Sequence, residues 1–148
     1  MLLKITGSIV IILCAAKIGF DEAARYTRRV REIRELQTAL IALKGEISFC
    51  RTPLSSALIK TGQRLKTSIN QIFVRAGEAL RDGGENANEA WESALFSAEK
   101  ELSLKNEELY ILSTFGRLLG ISDAGGQIEN IELACEKLAV CEKQALAD

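Results

Sequence analysis

From Leu2 to Phe20 the chain is apolar on every side, LLKITGSIVIILCAAKIGF, and only Lys4 and Lys17, both near its ends, interrupt the run. At about 1.5 Å per residue a helix of this length reaches roughly 28 Å, close to the hydrocarbon thickness of a bilayer. Lysine stems at such positions can carry their ammonium groups out to the headgroups. Residues 1–20 are therefore read as a transmembrane anchor. The pattern then changes to one-sided periodicity: Val30, Ile33, Leu36, Leu40, Leu43 and Ile47 recur at steps of three and four. This predicts a helix from about Asp21 to Phe49 that runs on from the anchor. Ile41 falls off that stripe, on the side shared with Val30, which leaves a second buried side or an exposed contact.

The same reading continues to the end. Thr52-Pro53 closes the first helix and opens a short one to about Thr61, with Thr52 as a candidate cap and Pro53 in the first turn. Ile69, Ile72, Phe73, Ala76 and Leu80 mark a third helix that stops before Gly83-Gly84. Asn86 or Asn88 can cap a fourth, with Ala87, Ala90, Trp91, Ala94, Leu95 and Ala98 on one face. Leu109, Leu112, Phe115 and Leu119 define a fifth that ends at Gly120, and Ser122 or Asp123 caps a sixth carrying Ile128, Ile131, Cys135, Leu138 and Ala145. Gly125-Gly126, like Gly83-Gly84, reads as a break. The expected fold is all-α: residues 21–148 form one compact bundle of about six helices beyond the anchor. Its core is expected to hold Leu36, Leu40, Leu43, Ile47, Phe73, Trp91, Leu112, Phe115, Leu119 and Ile131, the two aromatics lying on apolar stripes as core does.

Charge adds a polarity that the net value of -1 conceals. Residues 1–81 hold 14 Lys/Arg and 6 Asp/Glu, whereas residues 82–148 hold 5 and 14. Either the halves pack side by side and offset each other, or the basic part faces lipid phosphates while the acidic part faces a basic partner. On the second reading Lys17, Arg25, Arg28, Arg29, Arg31 and Arg34 meet anionic headgroups. Glu85, Glu89, Glu92, Glu99, Glu101, Glu107 and Glu108, with Ile41, are then the candidate partner surface. The Lys/Arg excess after the apolar run predicts a domain in the cytosol. Rival readings of the first residues are a cleavable signal peptide, for which Cys14-Ala15-Ala16 is a poor site; a lipoprotein, for which Leu13 is too large before Cys14; and a buried helix.

Several chemistries lose their usual residues. There is no histidine, and the four cysteines, Cys14, Cys50, Cys135 and Cys141, include no CxxC pair. Neither a zinc site, a disulfide framework nor a His-assisted nucleophile is suggested. No GxxxxGK[ST] or GxGxxG loop occurs. No catalysis, metal or cofactor is expected. The arginines are interleaved with Asp21, Glu22, Glu32 and Glu35, which argues against nucleic acid. A secreted or surface-tethered helical domain that binds a ligand is the alternative from another class.

The order of residues narrows this further. Gly19-Phe20, Ala24, Tyr26, then Arg31-Glu32-Ile33-Arg34-Glu35-Leu36, Ala39-Leu40, Leu43, Glu46-Ile47 and Thr52-Pro53-Leu54 resemble the start of the stage III sporulation protein AB family. Ala90-Trp91-Glu92-Ser93-Ala94-Leu95, Leu104-Lys105, Phe115-Gly116, Leu119-Gly120, Asp123 and Gln127 continue it. The resemblance implies a non-enzymatic scaffold in the secretion-like machine that endospore formers build between mother cell and forespore. It implies a mother-cell membrane location facing the cytosol, and a helical domain similar to that of the platform proteins of type II secretion and type IV pilus systems. Implied partners are a cytosolic ATPase and other membrane proteins of the same operon, with homo-oligomers possible. The family pattern usually continues into a C-terminal span, whereas this sequence stops at Asp148, so either a second span has been removed or there is one anchor. Val30 stands where relatives often have proline, which predicts a straight first helix.

Overall fold

Helix α1, Leu2–Ser48, is one unbroken helix of 47 residues, roughly 70 Å long at the standard rise. The computed structural model describes all 148 residues. Proline is absent from the whole of α1, so the hydrogen-bond ladder passes from the apolar segment into the bundle without interruption. Every residue before Arg29 is exposed; burial begins there and continues through Glu32, Ile33, Leu36, Ala39, Leu40, Leu43 and Glu46. The lower half of α1 is thus one wall of the domain.

Five further helices complete it: α2, Leu54–Gln63; α3, Asn70–Arg81; α4, Ala87–Ala98; α5, Asn106–Leu119; and α6, Ala124–Ala147, with a 3₁₀ turn at Glu99–Glu101. Neighbours in sequence pack as neighbours in space, and α6 returns against α1, so the helices close a ring around one core. Helices of ten to fourteen residues are marginal alone in water; burial of one face in this ring holds them. All the expected core residues are buried except Ile47, which is half-buried at the edge. Trp91 occupies the centre, edge-to-face with Phe73 and Phe115 at centroid separations of 5.2 and 5.1 Å. Its indole N–H donates to the Leu112 carbonyl at 2.8 Å, so the one polar atom in the aromatic stack has a partner.

Local details correct two expectations and decide two open choices. Thr52 does not cap α2; its hydroxyl donates to Glu46 Oε2 at 2.8 Å, and Pro53 precedes the helix instead of opening its first turn. Gly83, with φ +76°, does follow α3, but Gly125 and Gly126 lie inside the first turn of α6, where the Gly126 N–H donates to the Asp123 cap at 2.8 Å. Ile41 and Val30 part company: Val30 packs against the core, whereas Ile41 is exposed. Of the two candidate caps of α4, Asn86 is used, accepting from the Glu89 N–H at 2.9 Å.

Candidate interaction faces

The arginines after the apolar stretch divide by their partners. Arg25, Arg28 and Arg31 are exposed, and no carboxylate lies within ion-pair distance of them. Lys17 is exposed beside the apolar segment. Arg34 is exposed but donates to Glu142 on α6 at 2.6 Å. Arg29 is different. It is buried, ion-paired to the fully buried Glu108 and, at 3.3 Å, to Asp148. Burial opposes its charge, but the bonds and attraction of Glu108 and Asp148 outweigh that and raise its pKa above the ordinary arginine value. Arg29 and Glu108 are therefore removed from the surface sets expected of them: they form an internal pair joining α1 to α5.

The remaining glutamates are not one surface either. Glu89 is spent on the capping box of α4, and Glu101 accepts from Gln71 at 2.6 Å. Glu85, Glu99 and Glu107 are exposed; half-buried Glu92 accepts from the Ser113 hydroxyl at 2.7 Å. Glu92 and Glu99 do share a groove between α4 and α5, whose rim carries Phe96 and Tyr110, 78% and 65% exposed. Sequence reasoning missed these two aromatics; their signal was that each falls off the apolar stripe of its own helix.

Most of the ion pairs between the two oppositely charged halves run between α1 and the α6 side. Arg34–Glu142 and Lys44–Glu132 link them, as Arg29 links to Asp148. These contacts make α6 antiparallel to α1, and each exposed pair contributes at most about 1 kcal/mol. Side-by-side packing thus accounts for part of the charge asymmetry. Within the first half, Glu46 is held below the usual carboxylate range by the Thr52 hydroxyl, with Lys60 and Arg64 adding to it against the cost of burial. Glu142 is lowered likewise by Arg34 and Gln37. Burial pushes Glu32 upward despite its bond from the Ser103 N–H.

A pH prediction follows from the lowered pair. A carboxylate with a depressed native pKa adds stability that is complete above its unfolded pKa and is lost as pH falls through the native one. The melting temperature of the wild-type chain should therefore fall as pH drops below about 4.5, the ordinary glutamate value. Glu46→Gln/Glu142→Gln should flatten that limb in thermal melts across pH; an unchanged limb would show that these carboxylates do not carry it.

The family model for stage III sporulation protein AB matches residues 4–148, nearly the full length. The chain belongs to this family. Stage III sporulation protein AB of Bacillus subtilis (strain 168) is 35% identical over 144 residues, which cover 97% of this chain and 84% of that protein. A solved structure of stage III sporulation protein AB is 34% identical and superposes with a TM-score of 0.76, covering 82% of this chain and 96% of that one. A role in sporulation follows from membership, and the all-helical fold is that of a solved family member. The first stretch of α1 is long and apolar enough to cross a membrane, and none of it is buried against the bundle.

Proposed function

We propose that this family member is a non-catalytic, membrane-anchored assembly component of the secretion-like channel machine between mother cell and forespore, needed for endospore formation. The observation that supports it best is the continuity of α1, which is apolar and exposed over its first twenty residues and a wall of the bundle from Arg29 onward. A segment with that exposure has no partner within the chain and suits lipid. The exposed cations Lys17, Arg25, Arg28 and Arg31 fit anionic headgroups and, by the positive-inside rule, support a bundle on the mother-cell cytosolic side. There a cytosolic ATPase and membrane proteins of the same operon are the partners that the family reading supplies. Activity in this picture is the holding of other proteins at a fixed place on the membrane.

Thiol accessibility in intact cells tests the placement. Cys50 is exposed at the end of the bundle far from the anchor, while Cys141 is buried and its thiol pushed up to about 11, mainly by burial. An impermeant maleimide should label Cys50 only after permeabilisation, and Cys141 only after unfolding, because the thiolate is the reactive form. Cys50 labelled in intact cells would put the bundle outside and favour a tethered extracellular domain.

A further inference from the structure

The α4–α5 groove and the outer arginines of α1 lie at the same level along α1, and they match in chemistry. Glu108 on α5 meets Arg29, and the Lys105 ammonium lies 5.7 Å from the centre of the Tyr26 ring, so the start of α5 is level with residues 26–29 of α1. Since α6 is antiparallel to both α1 and α5, α5 descends alongside α1. Ser113, five residues beyond Glu108, is then about 7.5 Å further from the bilayer, near the level of Arg34. The groove between Asn106 and Ser113 therefore spans the heights at which Arg28 and Arg31 stand.

Neither face has an ion pair of its own, although Glu92 accepts from Ser113. Arg28 and Arg31 have no ion pair, because their neighbours Glu32 and Glu35 are engaged by the backbone N–H groups of Ser103, Lys66 and Thr67. Glu99 has no side-chain partner, and no lysine or arginine lines the groove beside Glu92, Phe96 and Tyr110. A guanidinium group can pair with carboxylates and stack on aromatic faces, which a groove of two glutamates and two exposed aromatics offers together. In the ring of helices α1 packs chiefly against α2 and α6 and meets α5 near that helix's start, through Arg29–Glu108.

We infer that the α4–α5 groove of one copy receives the Arg28–Arg31 edge of α1 from a second copy anchored beside it. This rests on the membrane-anchored reading, since the shared bilayer is what sets both faces to one height. The contact is heterologous, so each copy keeps one free groove and one free edge, and the association extends as a ring or a row. Confinement to a plane raises the effective concentration and lets individually weak surface pairs suffice.

The test uses the full chain with Cys14→Ala, labelled at Cys50 and reconstituted in vesicles containing anionic lipid, with energy transfer between copies as the readout and flotation with the vesicles as the check on anchoring. Wild-type copies should associate. R28E/R31E and E92R/E99R should each weaken association by about tenfold or more, as two surface pairs turn from attraction to repulsion. A mixture of the two variants should associate again, because the intact groove of the first accepts the intact arginines of the second. Floating copies that do not associate, variants that behave as wild type, or a mixture that stays apart would each overturn the contact while leaving the anchor intact. Copies that fail to float would overturn both readings.

Discussion

Glu108→Ala should destabilise the bundle by about 3–5 kcal/mol, because it leaves a buried guanidinium without its main counter-charge. Arg29 is 4% exposed and its Nε already lacks a partner, so water cannot replace what Glu108 supplies. The same carboxylate accepts the Lys105 N–H at 2.6 Å and so also closes the start of α5. For a domain of this size the loss corresponds to a fall of roughly 10 °C or more in Tm. Glu107→Ala, one residue away and exposed, should shift Tm by no more than about 1–2 °C, as surface changes do. Replacing the pair together, Arg29→Met with Glu108→Leu, should recover most of the stability, since apolar groups avoid the cost of burying charge. Thermal unfolding of the four chains in one detergent decides this. Equal melting of Glu107→Ala and Glu108→Ala would mean that the pair is not buried.

That pair also marks the limit of what could be read from the chain. Arg29 sits among Arg25, Arg28, Arg31 and Arg34, and spacing alone gives no reason to separate it from them. On the helix it lies in line with Ile33, Leu36 and Leu40, so its position on the buried stripe was available, but its charge argued for the surface. Glu108 likewise follows Glu107, and only the turn it begins, with Lys105 N–H as its partner, distinguishes the two. The helices themselves were legible, because burial of one face imposes a period that Leu, Ile, Phe and Trp record directly. Caps were legible to within a choice at Asn86 and Asp123 but not at Thr52, whose hydroxyl serves Glu46 instead. Close approaches between elements were not: a glycine inside a helix carries no sign of what packs against it.

The continuous α1 gives the internal pair a mechanical meaning. Between Phe20 and Arg29 the helix is exposed and touched only lightly, by Lys105 over Tyr26, a stalk of about 13 Å at the standard rise. The bundle is first gripped at Arg29, where α1 meets α5 and, through Asp148, the end of α6. With the apolar stretch held in a bilayer, as proposed above, a displacement of it would reach the bundle first at a buried ion pair rather than through a flexible linker. A docking partner on α4–α5 would be held at a height set by that junction.

The second large effect is expected at the centre of the core. Trp91→Ala should cost about 3–5 kcal/mol, the range for removing a fully buried large aromatic. It empties the space between Phe73 and Phe115 and leaves the Leu112 carbonyl without its indole donor. Gly116 faces the same ring: a methyl group built there would stand 2.1 Å from Trp91 Cδ1 and 2.8 Å from Cγ. The indole cannot swing away without breaking its bond to Leu112 and both edge-to-face contacts. Gly116→Ala should therefore cost about 1–3 kcal/mol through overpacking. The two changes should not add. In a Trp91→Leu background the methyl enters space the indole has vacated, so Gly116→Ala should cost little, a coupling of about 1–3 kcal/mol in a double-mutant cycle. Denaturant unfolding of the wild type, both single variants and the double variant measures it. If Gly116→Ala costs the same in both backgrounds, its effect comes from α5 itself and not from the approach to Trp91.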